Sequence, residues 1–196
     1  MSRPVIIVFA KAPRMGSVKT RLARQIGGTR ALSFYRACLA RTLRTCAGMK
    51  GVETVVWTAP DNAVEGRYFP SGLKVCPQGN GDLGRRMARA LAHHAGADRI
   101  LIGADIPGIT PDILDDALTG LRRGDAVFGP AEDGGFWLVG LRRGYQPRGL
   151  FRNVIWSSPD TLIRSMATLP PHAGIVFAET LNDIDDLDDY RSLTSF

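Results

Sequence analysis

The sequence predicts an α/β protein: a three-layer α/β/α sandwich around a mostly parallel mixed sheet, in one domain spanning residues 1–196. Three observations carry this expectation. Short apolar runs rich in β-branched residues alternate with amphipathic stretches through most of the chain, joined by short connections. Two late runs, 125–129 and 135–141, are separated only by a turn, which introduces an antiparallel strand and makes the sheet mixed. A chain of 196 residues with 44% hydrophobic content is long enough for one sizeable core.

Taken in order, Val5 to Phe9 reads as a buried strand. Residues 19–47 are expected to be helical, because Leu22, Ile26, Leu32, Tyr35, Leu39, Leu43 and Cys46 recur at three- and four-residue spacing. Gly27-Gly28 breaks that helix, and Thr29 is placed to cap its second piece. Strands are expected at 52–58 and 73–76, and a helix from Asp82 to His94 with Leu83, Met87, Ala90 and Leu91 inward. Residues 99–103 form a fourth strand, followed by a helix from Pro111 to Arg122 with Thr110 as cap and proline in the first position. After the paired strands at 125–129 and 135–141, Ser157-Ser158-Pro159-Asp160 marks a helix start running to about Leu169. A short strand at 175–177 and a helix from Leu187 to Leu193 complete the chain.

Composition narrows the classes of function. No apolar run approaches the ~20 residues of a membrane span. The N-terminal apolar run is too short for a signal peptide and is followed by charges. Cys38, Cys46 and Cys76 have no metal-site spacing, and an odd count points to reduced thiols and a cytoplasmic location. The net charge of +6 is unevenly spread: residues 1–50 hold eleven Lys or Arg and no acid, whereas residues 179–196 hold six acids against Arg191. The early bases are dispersed and lack interleaved aromatics, so a local phosphate site is preferred to a nucleic-acid surface.

That phosphate site is expected in the turn after the first strand. Lys11-Ala12-Pro13-Arg14-Met15-Gly16-Ser17-Val18-Lys19-Thr20-Arg21 joins a strand to a helix start and carries Lys11, Arg14, Lys19 and Arg21. Backbone N–H groups, helix dipole and side-chain charge there all favour an anion. The rival reading is a basic surface turn without a ligand. A P-loop is discounted, because Val18 precedes Lys19 and the first glycine of that motif is absent. No Gly-x-Gly-x-x-Gly follows a predicted strand, so dinucleotide binding is unsupported.

In open α/β sheets ligands gather at the C-terminal ends of strands, and the other informative residues fall there. Asp105 lies just past the fourth strand, where a carboxylate facing a phosphate loop suits a hard divalent cation such as Mg2+ or Mn2+. Capping the next turn is an equally ordinary role for it. Asp185 or Asp183, before the last helix, is placed to complete a metal site. Glu132 and Asp133, in a Glu-Asp-Gly-Gly turn, are candidates to orient or deprotonate an acceptor hydroxyl, or simply to form a hairpin turn. Gln78, Gly81 and Leu83 lie in a loop whose amides and bare backbone suit a nucleobase edge. His93 and His94 end a helix, where a cationic histidine is favoured. No Ser-His-Asp or Cys-His set is legible, which weakens hydrolase readings.

The Lys11 to Leu22 loop, Gly81-Asp82-Leu83-Gly84-Arg85-Arg86-Met87, Gly103-Ala104-Asp105-Ile106-Pro107, Gly129-Pro130-Ala131-Glu132-Asp133-Gly134-Gly135-Phe136-Trp137-Leu138 and Asp183-Ile184-Asp185 occur in this order. Together they resemble the DUF2064-type bacterial family of glycosyltransferases, within the nucleotide-diphospho-sugar transferase superfamily. The resemblance spans nearly the whole chain and implies a GT-A fold. It implies that Lys11, Lys19 and Arg21 hold phosphates and that Asp105 binds the metal. Asp185 matches the aspartate before a Thr-Pro-Glu-Asp-Leu element of relatives, here Asp186-Leu187-Asp188-Asp189-Tyr190 without threonine or proline. The Asp-x-Asp of many GT-A enzymes is also incomplete, since Pro107 stands at the second acid.

The expected activity is Mg2+- or Mn2+-dependent glycosyl transfer from a nucleotide-diphospho-sugar to a small-molecule acceptor. Lys19, Arg21 and Glu132 or Asp133 are the catalytic candidates. Lys11, Ala12, Pro13, Arg14, Gly16, Lys19, Arg21, Gln78, Gly81 and Leu83 would bind the nucleotide, and Asp105 and Asp185 the metal. The alternative is nucleotidyl transfer from a nucleoside triphosphate to an acceptor phosphate, as in molybdenum-cofactor and phospholactate guanylyltransferases. A compact four-cation loop suits a triphosphate. A third reading is a nucleotide-binding protein without turnover.

Overall fold

The structure is a computed structural model that describes residues 2–184 and 186–192. The elements run β1 (Val5–Lys11), α1 (Thr20–Ile26), α2 (Gly28–Gly48), β2 (Glu53–Ala59), β3 (Lys74–Pro77), α3 (Leu83–His93), β4 (Arg99–Gly103), α4 (Pro111–Gly120), β5 (Ala126–Pro130), β6 (Phe136–Leu141), α5 (Thr161–Met166), β7 (Ile175–Phe177) and α6 (Leu187–Ser192). The strands form a seven-stranded sheet in the order β3-β2-β1-β4-β6-β5-β7. β6 runs antiparallel to both β4 and β5, and the remaining pairings are parallel.

The alternation of side chains across the pleat divides each central strand between two cores. Ile6, Val8 and Ala10 face α2 and α4, where they meet Leu39, Leu43, Leu114 and Leu118. Val5 and Ile7 face α3 and the 150s segment, among Met87, Leu91 and Phe151. Each face of the sheet is therefore covered, as a largely parallel sheet requires, and the expected three-layer sandwich is what forms. A smaller cluster of Leu22, Ala31, Phe34, Cys38 and Ile184 ties α1, α2 and the tail together.

Several boundaries differ from the sequence expectation for local physical reasons. β1 runs two residues beyond Phe9, because Ala10 and Lys11 pair with Thr58 and Ala59 of β2. The Tyr35 hydroxyl accepts from the Lys11 N–H at 3.0 Å and donates to the Lys11 carbonyl at 2.9 Å, which secures that extension. Thr29 does not cap α2: Gly27 holds that place with φ +86°, and Thr29 lies inside the first turn. Thr110 caps α4 through the Ile113 N–H, as its position predicted, whereas Asp82, expected as the first helical residue, instead caps α3 through the Arg85 N–H. α5 starts at Thr161, later than expected, because the Thr161 hydroxyl turns back to the carbonyls of Ser158 and Ile155.

His93 and His94 do close α3, but His94 contributes no cation to the helix end. Burial, reinforced by His93, pushes its imidazole down to about 4. The neutral ring accepts a hydrogen bond from Trp57 Nε1 at 3.4 Å. No described helix is long and apolar enough to cross a membrane.

Candidate active site

The strand order reverses between β1 and β4, which places a crevice outside the C-terminal ends of those two strands. Lys11 ends β1, and Asp105 follows two residues after β4. Two cavities open there and share Phe9, Leu83 and Asp105.

The first cavity, about 320 Å³, is lined by four cations: Lys11, Lys19, Arg21 and Arg86. Lys19 precedes α1 in the left-handed region at φ 45°, ψ 47°, a conformation that costs a non-glycine residue energy and commonly marks a functional position. That backbone directs the ammonium onto Asp105, with Nζ 2.7 Å from Oδ2. Asp183 reaches the same ammonium at 3.5 Å. The Lys19 side chain is only 4% exposed, so this charge cluster sits largely out of water, where Coulomb forces are strong. The Asp105 charge is felt behind it as well. Burial and then the Asp105 charge raise the Tyr35 hydroxyl well above its usual value and lift the Cys38 thiol to about 11.

The second cavity, about 340 Å³, has a different chemistry. Phe9, Leu83, Met87, Phe136 and Trp156 supply apolar and aromatic walls, and Asp105, Asp133 and Asp183 supply carboxylates. No Lys or Arg lines it among the described residues. Its aromatic wall is braced from behind, since Phe136 stacks on Phe151 and both meet Trp156 edge-on at 5.9–6.3 Å. Gly84 is what lets α3 approach this wall: a Cβ there would lie 2.8 Å from both Phe151 and Trp156. Gly134 is equally constrained, with φ +83° and the Pro159 carbonyl where a Cβ would project.

The sequence-predicted residues divide accordingly. Lys11, Lys19, Arg21, Gln78, Leu83 and Asp105 are brought together around the first cavity, and Asp133 faces the second cavity while Glu132 does not line it. The Glu132 N–H is held instead by Asn182, and Asp133 steadies its own turn by accepting from Gly135 N–H at 2.8 Å. Arg14 is turned away: it bonds the Tyr68 hydroxyl at 2.8 Å, lies over that ring and reaches Asn62. Ala12 and Pro13 are buried supports of the loop, and Gly16 makes its turn with φ +76°. Gln78 lines the first cavity with its polar atoms engaged by the fold. It is buried, its amide donates to the carbonyls of Ala10 and Trp57, and its oxygen accepts from Arg86. Gly81 is an exposed turn residue preceding the α3 cap and does not line either cavity. Asp185 lies outside the described residues.

One site residue, Arg86, was not selected from the sequence, and another, Asp183, was offered only as an alternative to Asp185. Arg86 stands in the first turns of α3, where the positive end of the dipole disfavours a cation, and that mismatch was the available signal for an anion nearby. The approach of Asp183 to Lys19 depends on Ile184 packing against Leu22 and Phe34. Among the described residues no group of three or more His, Cys, Asp or Glu is gathered for a metal. Two carboxylates converging on one cationic centre nevertheless form the oxygen set that Mg2+ takes together with substrate phosphates.

Residues 42–158 match the family described as "Uncharacterized protein conserved in bacteria (DUF2064)". The chain belongs to this family. It is 29% identical over 119 residues to a phosphoenolpyruvate guanylyltransferase of Nocardia farcinica, covering 57% of this chain and about half, 53%, of that curated relative. A crystal structure from Desulfovibrio desulfuricans G20, provisionally named a nucleotide-diphospho-sugar transferase, superposes with a TM-score of 0.85 at 27% identity, over 100% of this chain and 90% of that one. Rv0371c of Mycobacterium tuberculosis, solved as a manganese complex, shares the fold with a TM-score of 0.56 at 16% identity, over 97% of both chains. The nucleotide-diphospho-sugar transferase type of fold expected from the sequence is thus the fold observed.

Proposed function

We propose that this protein is a divalent-metal-dependent transferase that moves a glycosyl group from a nucleotide-diphospho-sugar to a hydroxyl of a small, uncharged acceptor. The observation that carries the choice is the pairing of a cation-lined cavity with an aromatic, carboxylate-lined one across Asp105. A diphosphate suits the first. A sugar and a neutral acceptor suit the second, where an anionic acceptor would meet carboxylates and no cation among the described residues.

In this reading Lys11, Lys19, Arg21 and Arg86 bind the diphosphate and oppose the negative charge that grows on it as the bond to the sugar breaks. Asp105, with Asp183, would hold Mg2+ or Mn2+, and that ion when bound would neutralise phosphate oxygens. Asp133 orients the acceptor hydroxyl and takes its proton as the acceptor oxygen bonds to the anomeric carbon and the nucleoside diphosphate leaves. Phe9, Phe136 and Trp156 exclude water and fix the acceptor's orientation. The manganese complex of a protein with the same fold supports the metal requirement.

A second reading is nucleotidyl transfer, favoured by the guanylyltransferase relative and by a four-cation cavity suited to a triphosphate. There an acceptor phosphate oxygen would attack the α-phosphorus and pyrophosphate would leave, with no base required. A thermal-shift panel tests the nucleotide in both readings. A ligand at 100 times its dissociation constant stabilises by about 2.7 kcal/mol. Metal-dependent stabilisation by one nucleotide-sugar above its free diphosphate is expected. Stabilisation by triphosphates alone would favour the second reading, and no shift with any nucleotide would contradict both.

A further inference from the structure

A larger cavity, about 870 Å³, lies on the far side of α3 from the first cavity. Its rim carries Arg85, Arg89, Arg148 and Arg152, and its inner wall includes Arg99. Among the described residues Asp82 is the one acid lining it, and the Asp82 carboxylate is occupied as the α3 cap.

Arg99 is fully buried. Its guanidinium is satisfied by carbonyl oxygens, those of Leu91, Leu141, Arg142 and Tyr145 among them. Each guanidinium nitrogen has a carbonyl partner, but carbonyls do not cancel a full charge, and burial lowers the guanidinium to about 10. At the rim, Arg89 is fixed by the carbonyls of Gln78 and Asn80. The guanidinium groups of Arg85, Arg148 and Arg152 have no protein acceptor among the described residues. The segment bearing two of them is held in shape by left-handed backbone at Gly149, Phe151 and Asn153. Phe151 at φ 63° is an outlier for a bulky residue, of the kind that marks over-determined, functional backbone.

We infer that this arginine-lined cavity is a second anion site, separate from the candidate active site, that takes a small polyanion bearing two or more phosphate groups. The volume is in the range of small-molecule pockets, and planar guanidinium forks on two sides match phosphate oxygens in pairs. An exposed acidic peptide is the less suited occupant, because the charge lines a concavity with Arg99 at its inner wall.

Inorganic tripolyphosphate is the probe, titrated calorimetrically into the full chain at fixed ionic strength. The active-site variant Lys19→Ala/Arg21→Ala is expected to retain one binding event. Adding Arg85→Ala/Arg148→Ala/Arg152→Ala is expected to weaken that event at least ~10-fold, since charge-assisted bonds to phosphate contribute above the neutral range. These three side chains are exposed, and circular dichroism checks that the variants stay folded. Loss of all binding in Lys19→Ala/Arg21→Ala would overturn the inference. So would residual binding that ignores the three arginines, or binding of a polyglutamate peptide in preference to tripolyphosphate. The result is independent of whether the protein transfers a glycosyl or a nucleotidyl group.

Discussion

The two cavities that meet at Asp105 differ less in size than in charge. One is about 320 Å³ with Lys11, Lys19, Arg21 and Arg86 on its walls. The other is about 340 Å³, with aromatic walls and carboxylates in place of cations. Cations facing a leaving group and a carboxylate facing an acceptor make a division of labour in which charge on the two sides of the reacting centre is opposite. The C-terminal ends of the strands build both: β1, its loop and the start of α1 supply Lys11, Lys19 and Arg21, α3 supplies Arg86, and the β5–β6 turn and the segment before α5 supply Asp133 and Trp156.

The sharpest way to break this contrast is at Asp133. If it is the base, Asp133→Asn lowers kcat about 10²- to 10⁴-fold with little change in nucleotide affinity. An acceptor phosphate needs no base, so unchanged turnover would move the assignment to nucleotidyl transfer. Asp105 sits on the boundary, and Asp105→Asn is expected to cost at least ~100-fold in kcat/KM. A metal titration of that variant should show weakened metal dependence as well. Lys19 lines the cationic cavity and not the other, although it pairs with Asp105 and Asp183 between them. Lys19→Ala is expected to cut kcat about 10- to 100-fold, and the same substitution should leave acceptor KM near its original value. On the other side, Trp156→Ala should raise acceptor KM by about 10-fold, in line with the loss of an aromatic contact area, while nucleotide affinity measured by calorimetry stays the same.

The smallest expected effect lies outside both cavities. His94 is held neutral, with its imidazole pushed down to about 4 against 6.5 in an unfolded chain. Below about pH 6.5 the unfolded chain therefore takes up a proton that the folded chain refuses, and stability falls as pH drops toward 4. His94→Gln should flatten that part of the profile, read as the urea midpoint between pH 7 and 5, which isolates a fold effect from the site effects above.

Much of the arrangement was legible in the sequence because strand ends announce themselves. Lys19 and Asp105 were placed by the apolar runs before them, and the structure brings them to 2.7 Å. What sequence could not give was direction. Arg14 sits in the same basic loop as Lys19, yet its partner Tyr68 lies 54 residues away and takes it out of the site. Gln78 does line the first cavity, but its amide donates to the Ala10 and Trp57 carbonyls, partners that no local sequence pattern reveals. Glu132 and Asp133 are neighbours in sequence and were not separable. The Gly135 N–H and the Asn182 side chain fix the turn, and only Asp133 faces the second cavity. Thr29 as a cap failed because glycine's positive φ at position 27 makes the bend between α1 and α2 before threonine is reached.

The most direct measurement is the identity of the leaving group. The protein would be incubated with the nucleotide that stabilises it most, Mg2+ or Mn2+ and a panel of hydroxyl and phosphate acceptors, and the products resolved by ion-exchange chromatography. Glycosyl transfer predicts a nucleoside diphosphate released in step with a glycosylated, uncharged acceptor. Pyrophosphate released in step with a nucleotidylated phosphate acceptor would contradict it.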